Sequence, residues 1–405
     1  MHNQCVWIIE PRDPVIVRDG RPFDNTPGAR ARTLPFPYPS TLAGMVRTRA
    51  GTVGGSFTAT PTDVLQIAVR GPLLVQLDPV EDRVTKYFAP APADALLLEV
   101  EKQDGDGVRV VQLKPFEPPK GLLTAMPDQP DQLLPVGPDE VDPAKPSKRA
   151  PRFWDWQQFE RWLQEPVPRQ PIKPRELGIG GLPQNSRMHV AMQKDKRTGE
   201  EGKLFQTIGL EFTHPASEQH PLDAARRLAL LVAVGGHNLA AKIDAGFDTL
   251  GGERRTVVWR KGDTDTLPSL PAKLVQQVQT HTACRIILLT PAIFKQGYRP
   301  TWLCTTQHGV KPTLRAVCGT GYGVISGWDY DQRKPKPTRR MLPAGSVLYL
   351  HLDGEPAAIE AWVQAVWLQA ISDAEQDRRD GFGLAAIGIW NEKDTAVPAD
   401  WGIPK

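Results

Sequence analysis

Short apolar runs broken by proline and glycine recur along the chain, and their spacing predicts an alternation of strands with a few helices. Val6-Trp7-Ile8-Ile9 opens as a buried-type strand and Glu10-Pro11 ends it, because proline cannot donate to a central ladder. Val15-Ile16-Val17 is a second extended run, and Asp19-Gly20 offers the positive φ angles of a hairpin turn, flanked by Arg18 and Arg21. Pro35, Pro37 and Pro39 stiffen the approach to Ser40. Ser40 or Thr41 then caps a helix with Leu42, Met45 and Val46 at helical spacing, Arg47 and Arg49 in its last turn, and Gly51 as its stop. Gly71–Asp78, Arg83–Phe88, Ala95–Val100 and Val108–Leu113 follow as strands.

The pattern changes between Pro115 and Pro151, where ten prolines and little periodic apolar content predict a long surface insertion extending to about residue 175. Phe153–Leu163 then reads as a short helix whose aromatic face suits packing better than base stacking. Arg187–Met192 alternates like a half-buried strand, Lys194–Lys203 forms a charged tip, and Leu204–Phe212 returns, which together predict a hairpin. Leu222–Val234 is ambiguous, helical in its first half and strand-like in its second. Asn238–Ala245 reads as a capped helix, and Leu250–Arg255 as a glycine turn leading into the strand Thr256–Arg260. A helix near Leu270–Gln279 and strands at Arg285–Thr290, Leu314–Cys318 and Gly345–Leu352 come next. Pro356 opens an amphipathic helix, and a last strand occupies Leu384–Trp390. The order strand, helix, strands, helix, strand occurs twice. That order predicts an α+β protein of two tandem ferredoxin-like (RRM-like) domains with long loop insertions, residues 1–220 and 221–405.

Composition narrows the function by exclusion. At 405 residues, 40% apolar and 23% charged, the chain suits a globular protein of two or three cores, and a net charge of +3 says nothing by itself. Proline, at 40 residues, is about twice the usual ~5% and implies many loops. Four well-separated cysteines with no CxxC pair, an apolar opening run cut short by Glu10, Arg12 and Asp13, and no membrane-length apolar stretch predict a cytoplasmic protein with reduced thiols. The phosphate loop, dinucleotide fingerprint, HExxH, GxSxG and EF-hand patterns are all missing, and the eight histidines are scattered, so neither a metal nor another cofactor is expected.

What recurs is arginine and lysine beside glycine. Six cationic patches stand out: Arg18/Arg21; Arg47/Arg49; Arg187 with Lys194, Lys196 and Arg197; Arg254/Arg255; Lys334, Lys336, Arg339 and Arg340 within Arg333–Arg340; and Arg378/Arg379. Glycine lets a phosphodiester approach the main chain, and arginine grips phosphate through two parallel bonds. One such patch is more often a solvated face; six point to an extended polyanion surface. Phe382, between Gly381 and Gly383, suits base stacking or a core equally. His189 between Arg187 and the basic tip is a contact residue or, alternatively, the general base of a metal-independent ribonuclease with Lys194 or Arg197 stabilising the transition state. A scaffold whose cations are incidental is a third reading.

The phrases EPRDPVIVRDGRPFD, LPFPYPSTLAGMVRT, LFQTIGLEF, LGGERR, KPKPTRRMLPAGSVLYL and GFGLAAIGIW, spread from residue 7 to 390, carry a resemblance. They are similar to the RAMP proteins of type III CRISPR systems, and within them to subunit three of the Cmr (type III-B) effector complex. The resemblance implies ferredoxin-like folds, with a glycine-rich loop that maps onto Arg379–Gly383. It also implies a non-catalytic subunit that holds the 5′ tag of the CRISPR RNA, against the large polymerase-like subunit and the backbone RAMP subunits, with target RNA nearby and no membrane. The proline-rich region at about 115–175 is longer than a minimal RAMP needs.

Overall fold

The computed structural model describes residues 4–18, 33–100, 107–118, 133–140, 142–166, 170–193, 195–196, 198–214, 225–263, 267–329 and 333–394. Its principal elements, in chain order, begin with β1 (Cys5–Pro11), α1 (Pro39–Gly51), β2 (Ala68–Leu77), β3 (Val84–Pro90), β4 (Ala95–Glu99) and β5 (Val108–Gln112). Next come β6 (Phe153–Asp155), α2 (Trp156–Gln164), β7 (Gln184–Met192), β8 (Gly199–Leu210), β9 (Arg226–Gly235), β10 (Gly246–Leu250) and β11 (Arg255–Lys261). The chain closes with α3 (Ala272–His281), β12 (Ala283–Leu288), β13 (Lys311–Cys318), β14 (Val347–Asp353), α4 (Pro356–Val366), α5 (Glu375–Asp380) and β15 (Ala385–Ile389).

These elements form two compact units. One takes Met1–Tyr87, Gly181–Thr266 and Val324–Arg340; the other takes Phe88–Gly180, Leu267–Gly323 and Met341–Lys405. They interleave along the chain instead of dividing it at residue 220. The reason is strand pairing: β9, just past that point, lies between β1 and β2 and is antiparallel to both.

In the first unit the antiparallel order is β2-β9-β1-β11-β10. β1 and β9 are buried along nearly their whole length, which explains why both read as unbroken apolar runs. The helix expected over the first half of Leu222–Val234 is strand from Arg226 onward, while residues 222–224 lie outside the described residues. Leucine and alanine favour helix locally, but a central position with two partner strands overrides that preference. α1 packs on β2, burying Leu42, Met45 and Val46. It begins one residue before the expected cap, since Pro39 occupies its first turn, where a missing N–H costs nothing, and Tyr38 at the cap position makes no side-chain capping bond. Asn238–Lys242 is a single 3-10 turn capped by the His237 ring, shorter than the expected helix.

In the second unit four antiparallel strands run in the order β13-β14-β12-β15, and α3 and α4 pack on one another and against β15. The expected helix Phe153–Leu163 is strand for its first three residues. Asp155 then accepts a bond from the Gln157 N–H and starts α2. Trp156, Phe159 and Trp162 on α2 are buried, so its aromatic face is core.

Candidate nucleic-acid interface

β7 and β8 form a two-stranded hairpin within the first unit, His189 facing Phe205 and Arg187 facing Thr207 across the ladder. Side chains alternate between its faces. One face carries Met188, Val190 and Met192, which are 59%, 49% and 54% exposed. The alternation expected of a half-buried strand is therefore present, but its apolar side is open in this chain. Such a row marks a surface that something else covers. On the other face the His189 ring lies stacked on Phe205 (5.1 Å, 12°), and its Nε2 is 2.9 Å from the Thr207 hydroxyl. Arg187 Nε donates to a neutral partner, Asn185 Oδ1, at 3.1 Å.

Residues 12–18 form a strap that ties this hairpin to the glycine turn at 251–252. The N–H of Val15 donates to the Leu210 carbonyl (2.9 Å) and the N–H of Leu210 donates back (2.8 Å); the Gly252 N–H donates to Ile16 O (2.8 Å). Asp13 receives the Thr256 N–H at 2.9 Å. That backbone bond and the Thr256 hydroxyl hold the Asp13 carboxyl below its ordinary range against the opposing effect of burial, with Arg255 and Arg187 adding in the same direction. Two arginines from distant segments thus lie within the field of one carboxylate, with exposed Arg254 next to Arg255 in sequence and Arg18 at the end of the strap. Arg255 also pairs with Glu253. Gly251 (φ +74°) is required at the crossing, because a Cβ there would strike the Ile16 carbonyl oxygen. Gly251→Ala is expected to cost about 1–3 kcal/mol. Faster amide exchange at Val15 and Gly252, alongside a lower melting temperature, would show the strap released.

Not every expected cation is available. Arg47 is 8% exposed and donates to the Ile67 carbonyl at 3.1 Å. Arg49 donates to Asp244 O (2.7 Å) and Phe247 O (3.2 Å), pairs with Asp248 (2.9 Å), and lies 5.4 Å from the Trp259 ring centre. They leave α1 in different directions, Arg47 toward Ile67 and Arg49 toward residues 244–248, and each long side chain ends on neighbouring carbonyls, so both fasten the fold and leave the interface. Arg379 pairs with Glu375 one turn back, and Arg378 lies 4.0 Å from the Trp302 ring centre while donating to Ser372 O and Asp373 O at 2.7 Å. Lys334, Lys336, Arg339 and Arg340 are exposed on a ribbon in which Trp328–Asp329 pairs with Lys334–Pro335. Arg21, Lys194 and Arg197 lie outside the described residues.

The glycine-rich loop also corrects the expectation of a stacking site. Phe382 is 0% exposed. Its carbonyl accepts the Ser372 hydroxyl (2.8 Å), Gly381 O accepts from Thr290 (2.7 Å), and the Gly383 N–H donates to Pro291 O (2.7 Å). Gly381, Phe382 and Gly383 form a latch inside the second unit. Phe382→Ala is expected to destabilise by about 3–5 kcal/mol in urea unfolding, and Phe382→Leu by less. A loss below about 1 kcal/mol for Phe382→Ala would mean that the ring is not held in the core.

Among the described residues there is no group of three or more His, Cys, Asp or Glu side chains able to hold a metal ion, and no helix long and apolar enough to cross a membrane. The cysteines are free thiols, and burial pushes Cys304 up to about 11 and Cys318 up to about 12, unlike an activated thiolate.

The sequence matches the CRISPR-associated protein (Cas_Cmr3) family over residues 7–390. The chain belongs to that family. It is therefore a Cmr subunit of the kind its dispersed motifs resemble. No curated protein matches the chain. Among solved structures it is similar to a chain in the type III-B Cmr-beta complex bound to cognate target RNA and AMPPnP. The identity is 15%, the TM-score 0.45, and the match covers 85% of this chain and 86% of that one. A chain of the same assembly bound to cognate target RNA alone gives 16% identity, a TM-score of 0.44 and the same coverage. A chain of the Csm3-Csm4 subcomplex of the type III-A interference complex gives 11% identity and a TM-score of 0.33, covering 87% of this chain and 94% of that one.

Proposed function

We propose that this Cas_Cmr3-family chain is a non-catalytic, RNA-binding RAMP subunit of a type III-B CRISPR ribonucleoprotein. It holds the 5′ tag of the CRISPR RNA and docks on the large polymerase-like subunit and the backbone RAMP, with target RNA nearby. Each unit fits a ferredoxin-like domain: numbered within the unit, both four-strand orders are 2-3-1-4, and all neighbours are antiparallel. In the first unit the connection between strands two and three expands to hold much of the second.

The observation that supports the reading is that Arg187 and Arg255, from distant segments, both act on Asp13 of the strap that ends in Arg18, with exposed Arg254 next to Arg255 in sequence and an open apolar face on the hairpin. Cations suit phosphates, and Met188, Val190 and Met192 suit unstacked bases of a single strand. A ribonuclease with His189 as base is less well supported, because its Nε2 is already shared with Thr207. Purifying the assembled complex with Arg187→Gln and Arg254→Gln should give a several-fold lower yield of bound guide RNA. Wild-type RNA content, or site-specific cleavage of repeat RNA in EDTA that His189→Ala abolishes, would overturn the reading.

A further inference from the structure

Methionine divides sharply between core and surface in this chain. Of the four methionines among the described residues, Met45 (9% exposed) and Met341 (1%) lie in the core, the usual place for a thioether. The other two, Met188 and Met192, are each more than half exposed, four residues apart on one face of β7 with exposed Val190 between them. Packing within the chain does not account for that pair. A flexible, polarisable side chain suits ligand surfaces of varied shape, but it brings a chemistry that leucine at the same place would not.

A thioether reacts with a hydroperoxide. The sulfur lone pair attacks one peroxide oxygen as the O–O bond breaks, and the sulfur keeps that oxygen. The released hydroxide takes the proton of the transferred hydroxyl and leaves as water, so the sulfur loses two electrons and the peroxide is reduced. Reach decides which sulfurs take part. Met45, Met341 and Cys284 are buried, and burial pushes the Cys304 thiol up to about 11 and the Cys318 thiol up to about 12, which leaves little thiolate for a peroxide at neutral pH. We propose that Met188 and Met192 are a redox-sensitive modification site, at which a hydroperoxide makes two sulfoxides and thereby loosens RNA bases from the hairpin face. The oxidation rests on the exposure of the two side chains; its effect on RNA rests on the RNA-binding reading above. A sulfoxide sets a strong acceptor oxygen against a base with no donor assigned to it, and it leaves every arginine charge in place. Affinity therefore falls without a change in salt dependence.

The test treats the full-length protein, with Cys5→Ser to remove the remaining part-exposed thiol, with hydrogen peroxide. Peptide mass spectrometry maps the added oxygen, and fluorescence anisotropy with 5′-labelled single-stranded CRISPR RNA reads affinity before and after. Met188 and Met192 should oxidise ahead of Met45 and Met341, and bound RNA should slow both. Affinity should fall about tenfold at an unchanged salt slope, which corresponds to ~1.4 kcal/mol for polar groups buried without a partner. A methionine sulfoxide reductase supplied with a dithiol should restore it. Met188→Leu/Met192→Leu, compared with its own untreated affinity, should show no response to peroxide. The proposal is overturned if the core methionines oxidise as fast as the hairpin pair, if both sulfoxides form and affinity stays the same, or if the leucine variant responds to peroxide as its parent does. The RNA-binding reading fails in a different way, when Arg187→Gln/Arg254→Gln binds RNA like wild type. If that variant loses affinity while the oxidised protein keeps it, the reading stands and the redox site falls.

Discussion

Asp94→Ala is expected to destabilise the second unit by about 3–5 kcal/mol, more than any surface change in this chain, because it strands the Arg285 guanidinium in the core. Both residues of the pair are 0% exposed and directly bonded. Arg285 is held in the middle strand β12, between β14 and β15, so it cannot swing out to water. Its remaining donors reach Ile389 O (2.8 Å) and Trp162 O (2.6 Å), which accept hydrogen bonds but neutralise no charge. Asp94 in turn takes the Trp162 N–H and lies 3.4 Å from the Tyr349 hydroxyl. Burial, with the Asp94 charge adding to it, pushes that hydroxyl well above its ordinary range, so it stays neutral. Even Gly388 on β15 is placed for the pair, since a Cβ there would lie 3.1 Å from an Arg285 nitrogen. Removing both charges, in Asp94→Leu/Arg285→Met, should cost less than Asp94→Ala alone, because no lone ion remains. Urea unfolding followed by tryptophan fluorescence, with a double-mutant cycle, measures this. A loss below about 1 kcal/mol for Asp94→Ala would mean that water reaches Arg285.

This pair shows where reading the sequence stops. Arg285 reads as part of a strand, and nothing local says that its partner is 191 residues away in a loop before β4. Elements with strong periodicity and clear stops were legible: β1, α1 apart from its cap, the β7–β8 hairpin, α4 and β15. Pairing between distant strands was not, which is why a division at residue 220 looked natural although β9 belongs beside β1. The same holds for the interface. Arg187, Arg254 and Arg255 were legible as cations, but so were Arg47 and Arg49, and only the segments packed around α1 separate a clamp for carbonyls from a surface for phosphate. The phrase LGGERR has a physical account in the strap, where Gly251 crosses Ile16 closely. The phrase GFG has another in the latch around Phe382, which the alternation of glycine and phenylalanine alone left open.

Neutralising Arg18, Arg187, Arg254 and Arg255 together is expected to lower affinity for single-stranded CRISPR RNA on the order of 100-fold at low salt, and to flatten its salt dependence. Each phosphate contact on a single strand contributes about 0.7 to the slope of log affinity against log salt, so four lost contacts should reduce that slope by up to about 3. The contributions should be unequal. Arg254 is exposed, and the hydrogen bond of Arg187 is to a neutral amide with no ion pair to break, so both turn to phosphate at lower cost than Arg255. Arg255 must first leave its ion pair with Glu253, so its single glutamine variant should matter less. Fluorescence anisotropy with 5′-labelled CRISPR RNA, between about 50 and 200 mM salt, reads both quantities. Arg49→Gln is the necessary contrast. It removes an equal charge but breaks the bonds to Asp244, Phe247 and Asp248, so it should lower the melting temperature and leave the slope unchanged. A second contrast replaces Lys334, Lys336, Arg339 and Arg340. If that ribbon variant alone flattens the slope and the strap variant keeps the wild-type value, phosphate is gripped on the ribbon, and the strap cluster serves the fold.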